Sequence, residues 1–325
     1  MTKTAVPNGL LQRPSTDVDR GATWSVGHGR WLARTTLLMT LLAIPWLGYQ
    51  SWRLLLDESQ WGAIDLKQRM TENRAWASGR DPYGAAYSGY PPATYVMLWP
   101  LVGWLPVVEN RVLWFLVNVA SLAWLIRILE RESLAGSPAE RRFVATLAVA
   151  NYGTGACLGN GQLVVPLMAP MLAGLLLAGR RNPGFRADLS VALLILLSLV
   201  KPSLTAPFFW IVIFVPGRPR PALLSVGGYS LLTLAASWVS GTSVLDLVRA
   251  FLRNVRENLD HVVAPFSHGN LQSLLATLGL SAWLPLGSLL LVMAAGLWVA
   301  VNRRRDIWLL IGVLVPSQSL RPIDR

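Results

Sequence analysis

A carboxylate that follows apolar residues at the edge of a long polar loop is placed to act as a general base. Asp65 is such a residue, coming directly after Gly62-Ala63-Ile64. Partial burial of its carboxyl would raise the pKa toward the range where it accepts protons near neutrality. The bland alternative is a salt bridge with Lys67 or Arg69. Asp81 is the runner-up carboxylate, and its place before Pro82 equally suits turn formation. Lys201, flanked by Leu-Ser-Leu-Val and Pro-Ser-Leu, is costly in hydrocarbon. It either holds an anion as a point charge or snorkels to anchor a helix hairpin. Asn160 and Gln162 bring amides to a turn between two apolar runs, for hydrogen bonding or merely to close the turn. Tyr83 and Tyr90 offer rings for stacking, or belong to an interfacial belt. Arg249, Arg253 and Arg256 are four and three residues apart and share one helical face, as an anion-binding row or a solvated stripe. His261 and His268 gather no carboxylates at ligand spacing, so no metal set is read here and no cofactor is expected, with a divalent ion left open.

The elements that must position these residues belong to a membrane protein. Of 325 residues, 53% are hydrophobic and only 14% charged, against about 25% charged in soluble domains. Apolar runs recur at 31–50, 110–129, 143–158, 163–178, 187–200, 203–215, 222–240, 281–301 and 307–315, and predict an all-α polytopic bundle of about nine to ten spans. The net charge of +12 sits mainly in arginines between those runs, where it sets topology rather than binding nucleic acid. Arg127, Arg131, Arg141 and Arg142 form one cluster, Arg180, Arg181 and Arg186 a second, Arg218 and Arg220 a third, and Arg303, Arg304 and Arg305 a fourth. With all four cytoplasmic, the turns at 159–162, near Lys201, and across 241–280 face the other side. The single cysteine, Cys157, excludes an internal disulfide.

Residues 1–30 read as a disordered cytoplasmic tail and 31–325 as one membrane domain. Residues 51–92 form a first outside loop, too long for a plain connection, and loops of that length are usually functional. One or two helices on the outer membrane surface are expected there, with Trp52, Trp61 and Trp76 in an interfacial belt. The run 93–105 contains Pro100 and is expected to be re-entrant or interfacial, leaving 110–129 as the true span. The ending VPSQSLRPIDR follows a half-length apolar run and suggests a truncated C-terminus.

Several short motifs occur in a telling order. Ile64-Asp65-Leu66 precedes Ser78-Gly79-Arg80-Asp81-Pro82-Tyr83 and Tyr90-Pro91-Pro92; Leu98-Trp99-Pro100-Leu101 and Leu105-Pro106 follow. Then come Asn160-Gly161-Gln162, Lys201-Pro202 and Asn270-Leu271-Gln272-Ser273-Leu274. This series resembles glycosyltransferase family 87, of the GT-C membrane glycosyltransferases, over roughly residues 31–315. The sequence departs from the family in having Lys67, Gln68, Arg69 and Met70 where an aromatic often follows the Asp, and in lacking the usual final helices.

The resemblance implies a GT-C-like bundle and transfer of a mannose- or arabinose-like sugar from a polyprenyl-phosphate donor. The acceptor would be a lipid or polysaccharide hydroxyl at the extracytoplasmic face of the inner or plasma membrane. It implies inversion, with Asp65 as base, Asp81 as the alternative, and Lys201, Arg249 and Arg253 on the donor phosphate. Tyr83, Tyr90, Asn160, Gln162 and Asn270 would meet sugar or acceptor. A multi-pass transporter or lipid flippase is the competing class, and Lys201-Pro202 is the feature that favours it.

Overall fold

The computed structural model describes residues 26–83, 88–133, 137–180, 184–262 and 284–314. All regular elements among them are helical. Helix α1 (Val26–Leu55) starts inside the tail expected at 1–30 and carries Pro45 internally. It exposes Leu37, Leu38, Leu41, Leu42 and Ile44 side by side, an outward apolar surface that suits lipid rather than water. α4 (Val107–Glu132) and α11 (Arg220–Ser240) share this character. These three helices are long and apolar enough to cross a bilayer singly.

A fourth crossing is available to a bent pair, α6 (Tyr152–Asn160) and α7 (Val164–Ala178), which meet at 119°. The expected span 143–158 is two helices instead: α5 (Pro138–Val149) ends, and α6 begins anew where the Asn151 side chain accepts the Thr154 N–H at 2.8 Å. The remaining apolar pieces are α8 (Phe185–Ser198), the short α9 (Pro202–Thr205) and α10 (Phe209–Phe214), then α13 (Leu284–Asn302) and α14 (Ile307–Leu314). α9 and α10 are separated by a tight turn, Ala206–Phe208, where Pro207 cannot continue the ladder. α12 (Val244–Val262) is amphipathic and lies outside this apolar set.

Two large buried clusters and a smaller aromatic one around Trp76, Tyr83, Tyr95 and Ala236 form the core. One large cluster joins Leu54, Leu66, Met70, Trp114, Leu163 and Val200; the other joins Met171, Ile195, Ile211, Val299 and Leu310. α7 packs on α8 and α4, α11 on α3 and α8, and α1 on α5 and α6.

The first outside loop contains one regular helix among its described residues, α2 (Ile64–Ala77). Its buried stripe is mixed, with Leu66, Met70 and Trp76 alongside Arg69, Glu72 and Asn73. It is therefore docked into protein rather than floating on headgroups, and Trp76 is a core residue, not a belt residue. Trp52 and Trp61 remain exposed, as a belt requires. The run after the loop forms α3 (Pro92–Leu98) and a π-helical turn, Trp99–Gly103, then breaks before α4. Twelve helical residues fall short of the roughly 20 that a span needs.

The turn between α6 and α7 is the seat for α2. Gly161 caps α6 at φ 73°, in the left-handed region, and a Cβ there would stand 2.7 Å from the Leu66 Cβ. Gly161→Ala is expected to cost about 2–4 kcal/mol, from the left-handed backbone plus overpacking. Gly159→Ala should cost markedly less, because its new methyl meets mainly the end of the flexible Gln50 side chain. Unfolding midpoints of the two variants in detergent check this; equal losses would show that the Gly161 geometry does not set the seam.

Candidate functional site

The chain reaches Asp65 through a strained turn. Gly62 has the Asp57 carbonyl oxygen 2.0 Å from where a Cβ would lie, so no side chain fits. Ala63 follows at φ 52°, the one non-glycine with positive φ among the described residues. A left-handed alanine costs about 1–2 kcal/mol and persists only where its surroundings impose it. The Ala63 N–H donates to the Gly159 carbonyl at 3.2 Å, which ties the turn to the end of α6. Asp65 is then half-buried in the first turn of α2, where the helix N-terminus favours negative charge.

Three cations hold the loop before α2 by its carbonyls. Arg111, buried in α4, donates to the carbonyls of Leu55, Asp57 and Gly62. Arg53 donates to Trp61 O at 2.9 Å, and Lys67 to Ser59 O at 2.6 Å. Loss of hydration, then repulsion from Arg111, holds the Lys67 ammonium below its usual pKa. The Asp57 carboxylate is held below its usual value, chiefly by its hydrogen bond with Ser59.

Lys201 arrives from the far side of the fold. It is half-buried at the break between α8 and α9, and the Thr94 hydroxyl of α3 donates to the preceding Val200 carbonyl at 2.8 Å. Both the Asp65 carboxylate and the Lys201 ammonium lie within electrostatic reach of the Cys157 thiol. That thiol donates to Gln162 Oε1 at 3.1 Å, which places the predicted amide in the same group. Tyr90, buried, is the other common neighbour: the Arg69 guanidinium lies over its ring at 4.2 Å and the Lys201 ammonium at 5.8 Å. Lys201 and Tyr90 thus meet directly, and Asp65 enters α2 beside the turn that carries Gln162, with Asn160 half-buried at the adjoining helix end.

Of the other expected residues that are described, only Tyr83 touches this group, through the Tyr90 backbone. Asp81 is exposed, and its carboxylate accepts the Tyr83 N–H at 2.9 Å, the turn-forming role. Tyr83 is buried in an aromatic cluster, with Tyr95 at 5.9 Å and Phe251 at 6.2 Å, and its hydroxyl donates to Tyr90 O at 3.0 Å. Burial pushes the Tyr83 phenol far above its usual pKa. Arg249, Arg253 and Arg256 occupy the exposed face of α12, with Arg249 near Asp246 at 3.6 Å. Asn270 and His268 lie outside the described residues.

Sequence reasoning passed over Arg69 as a site residue. It is buried and pairs with Glu72 at 2.6 Å. It also passed over Ser88, whose hydroxyl pairs with Tyr95 OH at 3.0 Å and whose carbonyl accepts from Asn254 on the buried face of α12. The Asp65–Arg69 spacing of four residues was the available signal for Arg69. Nothing local in the sequence marks Ser88 or Asn254.

The family model described as glycosyltransferase family 87 matches residues 88–317. The chain belongs to glycosyltransferase family 87. It is a membrane glycosyltransferase, acting with a sugar donor and an acceptor. The comparisons with curated proteins and with solved structures give no match. Tyr90, Asn160, Gln162 and Lys201 lie inside the matched stretch, and α2 with Asp65 lies before it.

If the Tyr90 ring fixes the two cations of this transferase, Tyr90→Leu should lower transfer by roughly 3- to 30-fold, the range that cation–π contacts supply. Tyr90→Phe, which keeps the ring, should retain more activity than Tyr90→Leu. Initial rates in membranes at matched protein level check the order; equal loss in both would remove the ring from the argument.

Proposed function

We propose that this transferase moves a mannose- or arabinose-like sugar from a polyprenyl-phosphate donor to a hydroxyl of a glycolipid or polysaccharide, with inversion. The reaction takes place at the extracytoplasmic face of the inner or plasma membrane, with the N-terminus cytoplasmic. The observation that carries this reading is the convergence of a carboxylate and a cation. Helix α2, which carries Asp65, is seated on the Gly159–Gly161 turn, and Arg69 of the same helix shares the Tyr90 ring with Lys201, distant in sequence.

In this scheme the Asp65 carboxylate accepts the proton of the acceptor hydroxyl as its oxygen forms a bond to the anomeric carbon. The bond from that carbon to the donor phosphate oxygen breaks, and polyprenyl phosphate leaves with the electron pair. Lys201 meets the charge that grows on the phosphate, where a preoriented cation contributes most. Arg69, on the same ring, adds a second positive charge, although its pairing with Glu72 limits how far it is available. Gln162 and Asn160 supply amides for sugar hydroxyls.

The opposite face fits the same orientation. Arg180, Arg218, Arg303, Arg304 and Arg305, from three separate loops, line one recess, so clusters expected on the cytoplasmic side do share an end. α7 and α8 each carry a site residue beyond one end and an arginine cluster at the other. Their 15 and 14 residues set the two poles roughly 20 Å apart at 1.5 Å per residue.

Membranes containing the parent or Asp65→Asn are supplied with a panel of radiolabelled polyprenyl-phosphate sugars, and label is followed into lipid and polymer. The expected result is transfer by the parent and a loss on the order of 10²–10⁴-fold in Asp65→Asn, the usual contribution of a positioned base. Lys201→Gln should lose activity at unchanged expression. Undiminished transfer by Asp65→Asn would remove it as the base, and no transfer from any donor by the parent would remove the donor class.

A further inference from the structure

The pole opposite Asp65 holds a recess of about 620 Å³ that sugar transfer leaves unused. It lies where the C-terminal ends of α4, α7 and α10 meet the turn between α13 and α14. Five arginines line it: Arg180, Arg218, Arg303, Arg304 and Arg305. The facing acids are Glu132 and Asp306. Two of these charges are already engaged. The Arg218 guanidinium grips buried Asp188 at 2.6–3.0 Å, and Asp306 accepts the Trp308 N–H at 2.8 Å to start α14. Arg180, Arg303, Arg304 and Arg305 are exposed, and none forms an ion pair with another described residue.

Helix dipoles and topology explain why arginines gather at these ends. They do not require four guanidinium groups to converge from separate segments on one recess. The volume lies in the range of small-molecule sites, well beyond a single inorganic ion. The walls also include Leu176, Val215, Pro216 and Ile307. On the lipid-facing side of α13, Leu297 and Val301 are strongly exposed just before Arg303. A ligand suited to this arrangement carries a phosphate at one end and hydrocarbon at the other.

We propose that this recess is a binding site for an anionic phospholipid. Its phosphate is held by Arg180 and the Arg303–Arg305 turn, and its chains lie along α13. Arginine suits the role because its fork donates two parallel hydrogen bonds to phosphate, and basic recesses between membrane helices are recognised headgroup sites. The inference does not rest on the transfer reaction.

The test uses the purified full chain in neutral detergent, with phosphatidylglycerol, phosphatidylcholine or inorganic phosphate added in turn. A ligand that binds only the folded state raises its stability. Phosphatidylglycerol is expected to raise the unfolding midpoint saturably, on the order of 3 °C or more, while phosphatidylcholine and inorganic phosphate do not. Arg180→Gln combined with Arg304→Gln should abolish the rise. Arg141→Gln combined with Arg142→Gln removes the same charge outside the recess and should leave it intact.

Should the first variant fail to fold, Arg180→Lys with Arg304→Lys keeps the charge. It should need roughly ten times more phosphatidylglycerol for the same shift. An equal effect of phosphatidylcholine would overturn the proposal, as would equal loss in the Arg141 and Arg142 variant. A full effect of inorganic phosphate would assign the recess to a soluble anion instead.

Discussion

The seam between the start of α2 and the turn that joins α6 to α7 is the constraint on which the outer half of the molecule depends. A loop at the membrane surface must find partners for its backbone groups, and here the bundle supplies them. The Ala63 N–H reaches Gly159 O, and the absence of a side chain at Gly161 lets Leu66 sit against the cap of α6. Arg111 answers three loop carbonyls from the opposite direction. Hydrogen bonds to a charged group contribute roughly 1.5–3 kcal/mol each, which together can hold Ala63 in its unfavourable backbone region. The direction in which α2 leaves that turn then decides where Asp65 stands relative to Gln162, Cys157 and Lys201.

The protein uses its positive charge differently at its two poles. Around α2 five cations are absorbed into structure. Lys67, Arg53, Arg74 and Arg111 donate to backbone carbonyls, and Arg69 pairs with Glu72. A buried ion pair of that kind adds little net stability, but losing one partner leaves a desolvated charge, so it fixes geometry more than it strengthens the fold. At the opposite end of α7 Arg218 is fixed by Asp188, while neighbouring guanidinium groups face outward.

Much of this was legible in the sequence, and the failures have definite physical origins. Hydropathy announced the membrane and the arginine clusters announced their common end, because both signals are local and additive. The short run after Tyr90-Pro91-Pro92 was recognisable as less than a span from its length and proline. Phe143 to Leu158 read as one helix because periodicity cannot see Asn151 turn its side chain onto Thr154 N. Trp76 read as a belt residue because a tryptophan in a polar loop carries no mark of what will cover it. Its indole N–H meets Ala236 O at 3.0 Å, far along the chain. Lys67 and Arg69 were both open as ion-pair alternatives for Asp65, and the geometry shows Arg69 with Glu72 and over Tyr90. Choosing among neighbouring charges is a tertiary decision that spacing alone leaves open.

The family match begins at residue 88, yet the fold does not divide there. Helix α2 buries Leu66 and Met70 in the same core as Leu163 and Val200, and Trp76 in the same cluster as Ala236. Arg69 lies over Tyr90, so a residue before the matched stretch shares a ring with Lys201 inside it. The portion before residue 88 is therefore not an appendage to the transferase. Helix α2, which carries Asp65, and the matched stretch, which carries Tyr90, Gln162 and Lys201, form one packed unit. Neither part alone carries both the base and the phosphate partner of the proposed scheme, so that scheme needs the two packed as one unit.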